Sequence, residues 1–266
     1  MLGKLLKYEM KSQGKSLFLF WMAILGLGLL IRIFSMLEEV MPVFQYLTPI
    51  SIFTFGIAIV LSLVYCFFLA IKNYYKKVLR EEGYLTNTLP VNKSSIILSF
   101  LITDVLAFIV TVAFSFLVFF IAFGTASEEA KSMWSAFSIS LEQEFDMSIE
   151  TIRCILVGVM LVGYVNTISL FYAAMTVGHS FSQNKISSSI GVGVAFYMGF
   201  QFLNVIEMVV IFLKNEMDFT NALATNQVPY ELIGIILLEA FMVSVISMIT
   251  TYTFTNYFLN RKLNLE

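Results

Sequence analysis

The stretch SSIILSFLITDVLAFIVTVAFSFLVFFIAFG, residues 94–124, holds a single charged side chain, Asp104. A bilayer core about 30 Å thick is crossed by about 20 helical residues, and an apolar run of this length reads as a membrane-spanning helix. Five further runs share its character, at about Leu17–Phe34, Pro49–Ile71, Thr151–Gly178, Ser188–Leu213 and Pro229–Phe258. Several exceed the thickness of the hydrocarbon, so tilt or extension past the headgroups is expected. The expected fold is an all-α polytopic membrane protein with six transmembrane helices.

Composition agrees with that reading of residues 94–124. The chain is 59% hydrophobic and 13% charged, with a mean hydropathy of +0.86, whereas soluble domains carry about 25% charged residues. A water-soluble fold of 266 residues cannot hide so much apolar surface, because surface shrinks too slowly with size. The net charge of -2 points to no nucleic-acid partner. Cys66 and Cys154 lack metal or redox spacing and are expected to be small buried hydrophobes. No cleavage site of small residues follows Ile33, so the N-terminal run is expected to be retained as a first span.

Charge in the connections sets the expected orientation. One set of segments carries Lys4, Lys7, Lys11, Lys15, Lys72, Lys76, Lys77, Arg80, Lys93, Lys185, Arg261 and Lys262; the other carries Arg32, Lys131, Arg153 and Lys214. Both termini are therefore expected in the cytoplasm, with outside loops at 35–48, 125–150 and 214–229 and an inside loop at 72–93. The acidic residues Glu38, Glu39, Glu128, Glu129, Glu142, Glu144, Asp146, Glu150, Glu216 and Asp218 favour the outside set. Loop 125–150 contains Trp134, Phe137, Leu141 and Phe145, which suits a short surface helix whose acids form a solvated face.

Residues 1–16 form a segment of their own ahead of the transmembrane region, 17–266. On a helix, Lys4, Lys7, Lys11 and Lys15 fall in one stripe, with Leu2, Leu5 and Leu6 opposite. This is the pattern of an amphipathic interfacial helix, its lysines toward lipid headgroups. Gly14-Lys15-Ser16 resembles the end of a phosphate-binding loop, but the motif needs a glycine where Glu9 stands and a preceding strand.

The inside loop begins with Lys72, Lys76, Lys77 and Arg80 and continues as Glu81-Glu82-Gly83-Tyr84-Leu85-Thr86-Asn87-Thr88-Leu89-Pro90-Val91. Leu85 and Leu89 share a helical face, Glu81 and Glu82 suit a helix start, and Pro90 stops it. The segment reads either as a short helix docking into a groove of a cytoplasmic protein or as a plain connection resting on headgroups. The elements Glu82–Leu85 and Thr88–Val91 resemble the segment between the second and third spans of bacterial ABC-transporter permeases of the type-2 exporter class. The opening residues Met1–Glu9 and the six-span pattern are similar to that family as well. The resemblance implies that Glu81, Glu82, Gly83, Tyr84, Leu85, Thr88, Leu89 and Pro90 form a coupling helix seated in a separate cytoplasmic ATP-binding cassette subunit. It further implies a second permease, the same or a related chain, and a bacterial plasma-membrane location. ATP and Mg would reside on the partner subunit, with no cofactor on this chain and no enzymatic centre of its own. The exported substrate would be an amphipathic peptide, drug or lipid.

Asp104, Glu207 and Glu239 lie inside spans, where ionisable residues face protein or a wet cavity. Two readings stand: they line a substrate path, or they bond to neighbours such as Asn166, Gln201 or Asn204. His179 is expected to be solvated at the end of the fourth span. Gly191, Gly193, Ala195 and Gly199 permit close helix approach, within the chain or against a second permease. The segment Lys214–Pro229 resembles the outer re-entrant helices of the family. Two rival classes remain open, a polytopic sensor or assembly protein and a proton-driven carrier relying on the three intramembrane acids.

Overall fold

The computed structural model describes residues 2–38, 40–80, 82–84, 91–123, 128–145, 147–181, 184–215 and 230–261. Among these residues seven α-helices follow in order: α1 (Leu2–Leu37), α2 (Phe44–Tyr74), α3 (Lys93–Phe123), α4 (Glu128–Phe145), α5 (Ile149–Gly178), α6 (Lys185–Lys214) and α7 (Tyr230–Arg261). A π-helical turn, Tyr75–Leu79, prolongs α2. No strand occurs among the described residues. The six helices other than α4 are long and apolar enough to cross a membrane. The chain is an all-α polytopic membrane protein.

Two boundaries differ from the hydropathy reading. Residues 2–16 are continuous with the first span, so α1 has 36 residues and a length of about 54 Å at about 1.5 Å per residue. Lys72, Lys76 and Lys77, read from the sequence as loop, instead lie on α2 and the π-helical turn that prolongs it to Leu79, and Arg80 follows as the first non-helical residue. Hydropathy marks where lipid contact ends; backbone hydrogen bonding continues past it.

The chain divides into two compact units, Met1–Ala126 and Ser127–Glu266. In the first, α1 packs along both α2 and α3. Its buried ridge is Gln13, Leu17, Ile24 and Ile31, a single stripe at near-heptad spacing. The contacts Gln13–Asp104 and Trp21–Thr111 rise together along α1 and α3, which are parallel. Phe20 stacks on Tyr65 and Phe34 meets Phe44 at a tilt, which makes α2 antiparallel to α1. Ile24, Ile31, Phe55, Val118 and Ala122 close the core. A Cβ at Gly28 would overlap the Val118 side chain, so glycine lets α1 and α3 approach here.

In the second unit α5 is the central helix, packed on α6 and α7. Gly178 meets the Ser189 backbone so closely that a Cβ would overlap it. Asn184, in left-handed conformation (φ 52°), opens α6 and is among the residue types that adopt this region most readily. Along the α5–α7 seam, Ser169 and Thr251 share a buried hydrogen bond of 2.7 Å and Ser247 Oγ donates to Asn166 Oδ1 at 2.6 Å. The surface helix expected in loop 125–150 is α4. One of its acids has a structural use, since Glu142 accepts a hydrogen bond from the Ile149 amide (2.8 Å), an unpaired donor at the start of α5.

Two side-chain expectations are corrected, those for His179 and Cys154. His179 is buried, and its Nδ1 donates to the Met175 carbonyl at 2.8 Å; the end of α5 is covered by α6 at the Gly178–Ser189 approach. Cys66 is buried but Cys154 is exposed, because the first half of α5 carries little covering structure. Of the small residues on α6, Gly193 contacts Ala174, whereas Gly191 and Gly199 face open space.

Candidate functional site

The end of the first unit that carries residues 72–84 gathers several buried apolar, polar and charged side chains. At the close of α2, Tyr74 and Val78 are fully buried and Leu79 nearly so. Tyr74 meets Phe100 of α3 edge to face, ring centroids 5.8 Å apart. The apolar residues Ile96, Ile97 and Phe100 fill the same end from α3. These contacts fix where the chain leaves α2 and where it returns to α3.

The wider π-helical turn, a form enriched at functional sites, carries Lys77 beside α1. Its Nζ donates to Glu9 Oε2 at 2.6 Å and to Ser12 Oγ at 3.3 Å. The Lys77 and Glu9 side chains are only 16% and 12% exposed, so this pair is largely shielded from water. One turn further along α1, Gln13 Nε2 donates to Asp104 Oδ1 of α3, and both residues are buried. The α1 segment thus bonds to both helices that flank the connection.

The chain then leaves the packed base. The Glu82 amide donates to the Lys76 carbonyl (3.1 Å) and the Gly83 amide to the Arg80 carbonyl (3.0 Å). The first closes a loop of seven residues around the end of the π-helical turn. The Arg80 guanidinium lies 5.8 Å over the Tyr75 ring, and Lys76 faces Glu82 at 3.8 Å on the surface. Gly83 is buried, while Tyr84 is 70% exposed. On the return, the Asn92 side chain accepts from the Ser94 amide (3.2 Å) at the start of α3, a capping contact for which asparagine is among the favoured residues.

Of the expected coupling residues, Glu82, Gly83 and Tyr84 lie here; Glu81, Leu85, Thr88, Leu89 and Pro90 fall outside the described residues. The basic stripe is on the exposed side of α1, with Lys4, Lys7, Lys11 and Lys15 all exposed. The three intramembrane acids are divided between the two units. Asp104 belongs to the first unit and is bonded to Gln13, which favours the packing reading for it. Glu207 on α6 and Glu239 on α7 lie within range of electrostatic interaction in the second unit. Glu207 Oε1 has no hydrogen-bond partner among the described residues. Asn166, one of the expected partners, is bonded to Ser247 instead. The segment 216–229, read as re-entrant, is outside the described residues.

Sequence reasoning missed Glu9, Ser12 and Gln13. The signal for two of them was present: Glu9 and Gln13 sit one turn apart in the middle of the leucine face, opposite the lysines. Polar side chains on the apolar side of a helix need partners, and here the partners are 68 and 91 residues away. No family model, curated protein or solved structure matches the chain.

Proposed function

We propose that this chain is the transmembrane permease subunit of an ATP-driven exporter, powered by a separate cytoplasmic ATP-binding subunit. The observation that carries the reading is the packed base of the first unit, which presents the exposed Tyr84 between two helices braced by α1. A docked ATPase that moved this tip would move α2 and α3 with it, and so alter access through the membrane. The resemblance of Glu82–Leu85 and Thr88–Val91 to the coupling segment of type-2 exporters supports the same assignment. In this reading both termini are cytoplasmic, the membrane is a bacterial plasma membrane, and a second permease completes the path. The cargo is amphipathic, a peptide, drug or lipid, in keeping with the Phe- and Met-rich spans (27 Phe and 14 Met).

One observation favours a second reading, a proton-driven carrier: Glu207, its Oε1 without a hydrogen-bond partner among the described residues, beside Glu239. Paired carboxylates at membrane depth occur in proton relays. Transport in inverted vesicles separates the two. ATP-driven export persists when an ionophore collapses the proton gradient and stops when ATP hydrolysis is blocked. A carrier behaves in the opposite way, and Glu207→Gln would silence it.

A further inference from the structure

The amphipathic pattern of residues 2–16 accounts for the lysines but leaves Glu9, Ser12 and Gln13 unexplained. A helix that only rested on anionic headgroups would gain nothing from a carboxylate on its apolar side. The structure gives those residues a use. Glu9 pairs with Lys77 of the turn that ends α2, Ser12 shares the same ammonium, and Gln13 bonds to Asp104 of α3. Glu9 and Gln13 are four residues apart and so lie on one face. Leu17, the next buried residue along the ridge, continues that face into the first span.

We infer that residues 2–16 form a clasp that sets the position of the α2–α3 connection, with Glu9, Gln13, Lys77 and Asp104 as its positioning residues. The clasp ties both helices that flank the connection, at Lys77 of the turn that ends α2 and at Asp104 about three turns into α3, to one helix that is continuous with the first span. Each tie is shielded from water, and breaking a shielded polar pair by removing one partner leaves the other uncompensated. The two ties therefore resist opening singly, and a displacement applied at Tyr84 is shared by α1, α2 and α3 as one body. The lysine stripe stays outward and free for headgroups, so anchoring and clasping use opposite sides of the same segment. The clasp stands on its own geometry; its consequence for transport rests on the export reading above.

The test is amide hydrogen exchange on the full chain in lipid nanodiscs, comparing the parent with Glu9→Lys, Lys77→Glu and the double swap. Each single substitution is expected to raise exchange in residues 72–84 by about tenfold or more, as a shielded tie is lost. The peptides of α5 to α7 are expected to keep their parent rates, which reports that the protein is still folded. The double swap restores the pair and brings residues 72–84 back toward the parent rate. Unchanged exchange in both singles, or a double swap no better than the singles, overturns the clasp. Should Glu9→Lys fail to accumulate, Glu9→Gln removes the charge without repulsion and is expected to raise exchange in the same peptides; parent-like exchange there overturns the clasp equally. A second readout separates positioning from plain stability. With the co-purified ATPase present, the singles are expected to hydrolyse ATP at near-parent rates but move less substrate per ATP, and the double swap to recover the ratio. A ratio equal to the parent's in both singles removes the positioning role. If the exchange pattern holds but no ATPase accompanies the chain, the clasp stands and the export reading falls.

Discussion

The two units are both built from three spans, yet they hold together by different means. In the first, 22–28% of the most apolar window of each span is buried; in the second the share is 6–11%. The first unit joins distant parts of the chain through buried polar ties and aromatic pairs: Gln13 with Asp104, Trp21 with Thr111, Phe20 with Tyr65. The second relies on a close backbone approach at one end, Gly178 against Ser189, and on a seam of hydroxyls between α5 and α7. Lipid provides no hydrophobic force between helices, so cohesion must come from such packing and hydrogen bonding. In the second unit most of α6 is left uncovered, whereas each span of the first is braced by its neighbours.

Four substitutions sharpen that contrast. The largest effect is expected at Gly178→Val, where the added carbons collide with backbone and cost about 3 kcal/mol. Gly191→Val, facing open space, is expected to stay within about 0.5 kcal/mol of the parent. Unfolding by detergent titration in mixed micelles measures both, and equal losses would show that the second unit is not pinned at one point. Next comes Gln13→Ala, expected to destabilise the first unit by about 1–3 kcal/mol because the buried Asp104 loses a donor. Trp21 fluorescence in a Trp134→Phe background follows that unit alone, since Trp21 packs on Phe114 and bonds to Thr111. The smallest effect is expected at Thr251→Val, about 0.6 kcal/mol, the usual worth of one interhelical hydroxyl bond in a membrane. A loss there as large as that of Gln13→Ala would erase the distinction between the units.

Much of this was legible in the sequence, for a physical reason. Spans such as 94–124 are fixed by the thickness of lipid, a constraint that acts on every residue of the run and survives errors at its edges. The exposed lysines of α1 were legible as a stripe for the same reason. The continuity of α1 through Ser16 and of α2 into the turn that ends at Leu79 was not, because hydropathy reports lipid contact, whereas a helix continues as long as its backbone bonds do. The partners of Asp104 and Lys77 lie far away along the chain, and nothing local in residues 94–124 names Gln13. His179 was misread because a histidine at a span end looks solvated until the covering helix is known. Cys154 was misread because an apolar run does not tell which side of its helix another helix covers.

The central claim, that the tip at Tyr84 engages an ATP-driven partner, is tested most directly by affinity capture of the full chain in mild detergent with identification of what accompanies it. The account predicts a cytoplasmic ATP-binding subunit with the parent protein and its loss with Tyr84→Arg, a change at an exposed side chain that leaves insertion and amount unaltered. Capture of the parent without any ATP-binding chain, or undiminished capture with Tyr84→Arg, would contradict it.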